Sequence, residues 1–164
     1  MRSKRSKRGG PRRPLWRCPK CDRKFVNRNQ WHSCGRFSVD RHLEGKDASI
    51  ISVYQRFVRA VRGCGPITLV PIKTRIGFQA RITFADIMVR RHWIDCYVIL
   101  SRRSNNPRFA RIESLSRHSH VHHFRVSSPA DIDDEVRSWL CQAYRVGLQD
   151  HLRNPVKEEG GRQA

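Results

Sequence analysis

The hydrophobic pattern of this chain changes period twice, and that succession leaves few folds open. Ile50, Val53, Tyr54, Phe57, Val58 and Val61 recur at helical spacing, with Arg56, Arg59 and Arg62 along the other side. Asp47 stands where an N-cap is needed, Gly63 suits the residue just past the helix, and Gly65-Pro66 stops it. From Ile67 the period becomes two. Residues 67–70 read as a short strand. Thr74, Ile76, Phe78, Ala80, Ile82 and Phe84 then alternate with Arg75, Gly77, Gln79, Arg81 and Thr83, one apolar face against one polar, basic face. That run is long for one strand, so a bend at Gln79 or Ala80 should divide it. Residues 87–89 and 93–100 read as a hairpin, and 109–115 and 120–126 as two more strands. The helical period then returns. Ser128 can cap, Pro129 suits the first position, and Asp131, Asp133, Asp134 and Glu135 crowd the positive end of the helix dipole. Ile132, Val136, Trp139, Leu140, Ala143 and Gly147 form the buried stripe of a helix that should run to residues 151–152, before Asn154-Pro155.

Helix, strands, helix is an α+β pattern. We expect one antiparallel sheet of about five strands, with one helix before it and one after it packed on the same face. The other face would carry Arg75, Gln79 and Arg81, joined by His123 and Arg125 if Phe124 and Val126 point inward. With Lys73 at its edge, this is a candidate ligand face made of Lys73, Arg75, Arg81, His123 and Arg125. A solvated face is also the ordinary state of such a sheet.

Ahead of this domain lies WRCPKCDRKFVNRNQWHSCG, residues 16–35. It holds Cys18, Cys21, His32 and Cys34 as Cys-x2-Cys, ten residues, then His-x-Cys. Thiolates three positions apart form a tight knuckle that faces both sulfurs to one ion, and residues two apart in extended chain point the same way. Four N/S ligands with no spare carboxylate describe a closed, structural zinc site. Phe25 and Trp31 would pack behind it, Lys20 would offset thiolate charge, and Gly35 would take a conformation that a side chain hinders. His42 or Cys64 remains an alternative to one of the four ligands.

Charge adds a second constraint. The formal net charge is +20, and residues 1–36 hold 13 Lys and Arg against the single acid Asp22. Polyanions are the natural partners of such a surplus, nucleic acid first. Beyond Met1, residues 1–14 contain no aliphatic or aromatic side chain, so we expect a disordered basic tail there. The organisation is then tail (1–14), zinc segment (15–36), α+β domain (37–154) and a flexible C-terminal tail (155–164). Arg2, Lys4, Arg5, Lys7, Arg8, Arg12, Arg13, Lys20, Arg23 and Lys24 are the candidate phosphate contacts, binding by counterion release without base preference. Three cysteines fall in the zinc segment, while Cys64, Cys96 and Cys141 are scattered singly. That is no disulfide framework, and it points to a reducing, cytoplasmic setting with no membrane partner.

His118, His120, His122 and His123 are the other constellation with chemical potential. His120 and His122 share one side of a strand, a spacing that can chelate a metal or place a general base, with Glu113 or an Asp as orienter. No nucleophile motif, phosphate loop or carboxylate pair accompanies them, so no catalytic residue is assigned. Three readings follow: a non-enzymatic, zinc-stabilised nucleic-acid-associated protein; an enzyme or anionic-ligand binder using residues 118–123; or a structural, protein-interaction module. A pocket where His120, His122 and His123 converge with Lys73, Arg75 or Arg81 would favour the second.

The blocks NQWHSCG, PIKTRIGFQARITFA, PRFARIESLSRHSHVHHFRV and DIDDEVRSWLCQAYRVG occur in this order. Over about residues 30–152 the chain resembles a bacterial family catalogued as domain of unknown function 5655. The resemblance implies a small α+β domain and transfers no activity or catalytic residue. It implies some association with nucleic-acid processing, since the family occurs beside nuclease-like domains. The Cys18–Cys21 half-site lies outside it, and WHSCG at its border.

Overall fold

The computed structural model describes residues 11–153. Arg2, Lys4, Arg5, Lys7 and Arg8, and the expected C-terminal tail, lie outside the described residues. The architecture is α+β: a six-stranded antiparallel sheet with helices on one face, and a two-stranded hairpin at the N-terminal end. In chain order the elements are β1 (Trp16–Arg17), β2 (Lys24–Phe25), α1 (Val39–Leu43), α2 (Ala48–Arg62), β3 (Thr68–Pro71), β4 (Ile76–Gln79), β5 (Thr83–Val89), β6 (Ile94–Leu100), β7 (Arg111–Ser116), β8 (Ser119–Val126), α3 (Asp134–Gly147) and α4 (Asp150–Arg153). The large sheet has the order β3-β4-β5-β6-β8-β7. Among the described residues, no helix is long and apolar enough to cross a membrane.

The periodic residues sit where burial demands. All six apolar positions read for α2 are buried, as are Ile132, Val136, Trp139, Leu140, Ala143 and Gly147 around α3. One cross-strand row, Phe78–Ala85–Val98–His122, lies in the core beneath the helices. The adjacent row, Val70–Gly77–Asp86–Tyr97–His123–Arg111, lies on the far face.

Four details depart from the sequence reading. The 73–84 run does not bend; it reverses at residues 80–82, and β4 and β5 pair as a hairpin. Pairing slips by one residue between Phe78 and Gln79, so Phe84 has no partner in the ladder and turns into the core beside the equally buried Ala85. The acidic run after Ser128 starts not one helix but two turns: a 3-10 turn at Pro129–Asp131 closed by a capping box, then α3 capped by Asp133, whose carboxylate accepts the Val136 N–H. Gln149, at φ 62°, then separates α3 from α4. Finally, Cys64 and Cys141 are disulfide-bonded, their Cα atoms 5.1 Å apart across a sequence separation of 77. The chain is therefore not free of disulfides, and scattered single cysteines are no argument for a reducing compartment.

At α2 the Asp47 side chain makes no cap bond; its backbone carbonyl accepts the Ile50 and Ile51 N–H groups instead.

Each end of α3 can be tested by one substitution. A Cβ on Gly147 would lie 2.5 Å from Phe84 Cδ1 and 2.9 Å from Cγ, closer than packed atoms come. Gly147→Ala should cost about 1–3 kcal/mol through overpacking, read as a lower urea midpoint. At the other end, the Val136 N–H, with help from Arg108, holds the Asp133 carboxyl below its usual range. A depressed carboxyl stabilises the fold fully above its unfolded pKa of about 3.9, and that stabilisation disappears as pH falls through the folded value. Asp133→Ala should therefore cost about 1 kcal/mol at neutral pH, with the gap from the native protein narrowing below about pH 4.

Candidate metal centre

The N-terminal hairpin is built around a reversed turn. The Cys18 N–H donates to Arg23 O (2.8 Å) and the Asp22 N–H to Cys18 O (2.9 Å), with Asp22 at φ 61°. β1 and β2 pair through Trp16↔Phe25 and Arg17↔Lys24, and Arg17 closes the turn on Asp22 at 2.8 Å. This knuckle presents Cys18 and Cys21 together. The chain returns through Asn29, at φ 57°, and brings in His32 and Cys34 before Gly35 turns away at φ 60°.

The ligating atoms of Cys18, Cys21, His32 and Cys34 all lie within 4.8 Å of one another. Cys18 Sγ is 3.7 Å from Cys34 Sγ, while His32 Nε2 is 3.2 Å from Cys21 Sγ and 3.0 Å from Cys34 Sγ. A tetrahedron with metal–sulfur bonds of about 2.3 Å has S···S edges of about 3.8 Å. The sulfur edge fits; the nitrogen edges are slightly tight. His32 Nδ1 lies 2.7 Å from Gln30 O, and because a carbonyl only accepts, Nδ1 carries the proton and Nε2 keeps its lone pair for a ligand. The charge at the cluster is uneven. Burial pushes the Cys18 thiol up, but the Lys20 and Cys21 N–H groups and the neighbouring thiols outweigh it and bring it down to about 6. Burial and its sulfur neighbours push Cys34 up to about 11. A divalent cation at the centre would stabilise all three thiolates. The Cys3His cluster can hold a metal ion, and four protein ligands leave no position for a reacting water.

Packing behind the cluster differs from the sequence reading in one residue. Phe25 is buried and its ring lies 4.3 Å from the His32 ring, as expected of a miniature core. Trp31 is not part of it, being 90% exposed; Trp16 takes that place, 6.0 Å from Phe25. Neither alternative ligand belongs to the cluster. His42 Nε2 bonds Ile72 O at 2.8 Å, and Cys64 is in the disulfide.

The other candidate residues scatter. Arg12 pairs with Asp150, Arg81 donates to the Arg13 carbonyl, and the Arg23 guanidinium lies 5.1 Å over the Phe25 ring. Lys20 and Lys24 are exposed. On the sheet face Arg75 pairs with Asp86 and stacks 4.3 Å from Tyr97, and Arg125 pairs with Asp95 over Trp93. His123 Nε2 comes within 3.1 Å of Glu113 Oε1 but is misaligned for a hydrogen bond. Lys73 is exposed. Of the clustered histidines only His123 lies among these cations, its ring 4.7 Å from the Tyr97 ring that Arg75 covers. His120 and His122 point to the core side. His120 contacts Ser114 Oγ and Arg117 O; His122 donates from Nδ1 to His120 O and accepts the Ser104 N–H at Nε2. Burial lowers the His122 pKa, in keeping with a neutral, satisfied core histidine.

Sequence reasoning missed that the hairpin covers one end of the sheet's far face. Gln79, read as solvated, is buried, and its Nε2 donates to Lys24 O at 2.6 Å. It also missed Asp86, although a lone acid within the apolar run FADIMV is itself a signal.

An α+β domain fronted by a Cys3His hairpin is the class that fold and site define. The family model described as domain of unknown function (DUF5655) matches residues 39–147, and the chain belongs to that family. All four cluster residues precede the matched span. No curated protein and no solved structure matches the chain significantly.

Substitution tests the centre directly. Cys18→Ser and Cys34→Ser should each remove one equivalent of bound divalent metal in elemental analysis, whereas His42→Ala should retain it.

Proposed function

We propose that the protein is a non-enzymatic, zinc-stabilised binding protein for nucleic acid, held through phosphate contacts of the N-terminal hairpin. A Cys3His set of closed geometry suits zinc above harder divalent ions, which favour oxygen ligands. One observation carries the choice of partner. On the hairpin and the segment after it, Lys20, Lys24, Arg28 and Arg36 are exposed and have no ion pair among the described residues. On the sheet face, by contrast, Arg75, Arg90, Arg111 and Arg125 are each held by an Asp or Glu. Unpaired positive charge is therefore gathered on the hairpin end, next in sequence to the basic stretch at residues 1–14, although α2 also exposes Arg59 and Arg62 without an ion pair among the described residues. This also argues against the sheet-face set Lys73, Arg75, Arg81, His123 and Arg125 as an anion site, because most of those groups are already engaged. The core placement of His120 and His122 removes them from the catalytic alternative and leaves it His123 alone, which lines an open hollow of the sheet face beside Tyr97, Arg111 and Arg125 with no Ser, Thr or exposed Cys among the lining residues.

Binding to a labelled oligonucleotide, followed by anisotropy on metal-loaded protein, should weaken steeply between about 50 and 200 mM salt. Replacing Lys20, Lys24, Arg28 and Arg36 together by Ala should lower the slope of log K against log salt by about 0.7–0.9 for each phosphate that is no longer neutralised. Binding that ignores salt, or an unchanged slope in the variant, would overturn the reading.

A further inference from the structure

Where the hairpin lies over the sheet, the two surfaces enclose a cleft of about 240 Å³. Phe25 from the hairpin and Val70 and Gly77 from the sheet contribute to its apolar lining. Gly77 belongs to the far-face row, so any side chain there would project into the cleft; a Cβ would meet Thr83 Cγ2 and Val70 at 3.4–3.5 Å, ordinary contact, and larger groups would fill the space. Trp31 stands at the cleft with 90% of its surface exposed, an indole held out from every core in the molecule.

Two polar groups of the lining lack satisfaction. Gln79 is 95% buried, since only 5% of its surface is exposed. Its Nε2 donates to Lys24 O and, at 3.4 Å, towards Arg81 O, while Oε1 has no partner among the described residues. A buried amide oxygen without a donor costs free energy unless something else supplies an N–H. Arg23, above Phe25, likewise has a buried Nε with no partner among the described residues. Asp86 adds a carboxylate at the β5 wall, its Oδ1 taken by Arg75.

An exposed indole, a flat apolar lining and an amide acceptor needing a donor suit one kind of guest: a planar ring with N–H groups at its edge. The unpaired Lys20, Lys24 and Arg28 of the same hairpin favour a ring that is attached to phosphate. We infer that this cleft takes an unstacked nucleobase of a single-stranded nucleic acid, stacked on Trp31 with an N–H edge turned to Gln79 and Asp86. The inference deepens the nucleic-acid reading of the previous section and rests on it. It makes the protein a single-strand binder, because a duplex keeps its bases stacked and paired, out of reach of an aromatic platform. Phosphate contacts provide the salt-dependent part of affinity, and the cleft provides a part that depends on the base being present.

The test separates the two parts. Metal-loaded protein is titrated with a short labelled single strand, an abasic strand of equal length and charge, and the corresponding duplex, all at one salt concentration. The base-bearing strand should bind about tenfold or more tightly than the other two, given the usual worth of one base–aromatic stack. Trp31→Ala should bring that strand to the abasic level without changing the salt slope, and Trp31→Phe should restore most of the difference. Because Trp31 is exposed, neither change threatens the fold. Gly77→Leu, checked for metal content and circular dichroism, should also erase the difference. Equal binding of base-bearing and abasic strands by the native protein, with salt dependence intact, would overturn the cleft while leaving the phosphate reading. If no strand binds at low salt, the phosphate reading fails, and free nucleoside 5′-monophosphates decide the cleft. Binding that Trp31→Ala abolishes upholds it; no binding ends it.

Discussion

The carbonyl of Gly147 accepts two N–H groups from the turn between β4 and β5, Arg81 at 3.0 Å and Ile82 at 3.1 Å. The same residue lies flat against Phe84, where a Cβ has no room. This single contact fastens the end of α3 to the turn that carries Gln79, Arg81 and Ile82. The N-terminal hairpin docks on that turn, through Lys24 O on Gln79 and Arg13 O on Arg81. The helical core and the segment that carries the Cys3His cluster thus meet at this tight turn. Its geometry needs a glycine at the last position of α3 and a slipped register between β4 and β5. The disulfide between Cys64 and Cys141 ties the end of α2 into α3 from the other side. Gly65 supports the same region: it sits under the Tyr144 ring, whose hydroxyl reaches Pro66 O at 3.1 Å.

Charge is partitioned by this architecture. Exposed ion pairs stabilise a fold by little, about 1 kcal/mol or less each. Their consequence here lies in the field they cancel. Asp86, Asp95 and Glu113 sit in the middle strands and edge of the sheet's far face, each within reach of one or more arginines. Asp131, Asp133 and Glu135 gather at the start of α3 around Arg108, which also donates to Asp131 O. Acids are thus engaged on the sheet and the helix cap. The hairpin retains only Asp22, already bound to Arg17. A protein of +20 formal charge consequently leaves part of its unpaired excess beside the Cys3His cluster.

The fold was legible wherever burial imposed a period. The face of α2 came out residue for residue and that of α3 without Tyr144 and Val146, which are also buried, because a helix with one buried stripe must repeat its apolar positions. The four cluster residues were legible for a comparable reason, since chelation by a short segment restricts spacing. What stayed hidden depends on contacts between distant parts of the chain. The β4–β5 reversal lacks the Asn-Gly or Asp-Gly signal of a tight hairpin and is held instead by Gly147, some 65 residues on. The bulge at Phe84 leaves the alternation of polar and apolar residues nearly intact, so nothing local betrays it. Gln79 and the histidines illustrate the converse. A polar residue in a strand reads as solvated, yet Gln79 is covered by the hairpin and His122 lies in the core with both ring nitrogens satisfied. Trp31 and Trp16 are equally apolar neighbours of the same cluster, and only the path of the chain decides which one packs.

That last distinction bears on why a metal centre belongs here at all. Residues 15–36 contribute just Cys18 and Phe25 to the buried apolar set, too little to fix the segment against chain entropy. Four ligands on one ion would supply that order instead, because binding energy of a structural metal is folding energy. Order obtained this way leaves large side chains uncommitted. A segment stabilised by a hydrophobic core would have to bury Trp31; one stabilised by coordination can hold the indole in solvent and keep lysines free of acidic partners. Coordination of His32, with Phe25 packed on its ring, would then set the position of Trp31 by sequence adjacency, one peptide bond from a ligand. The cleft inherits its rigid wall from the same source. Removing the ion would release that wall before it disturbed the sheet, whose core holds without any contribution from the hairpin.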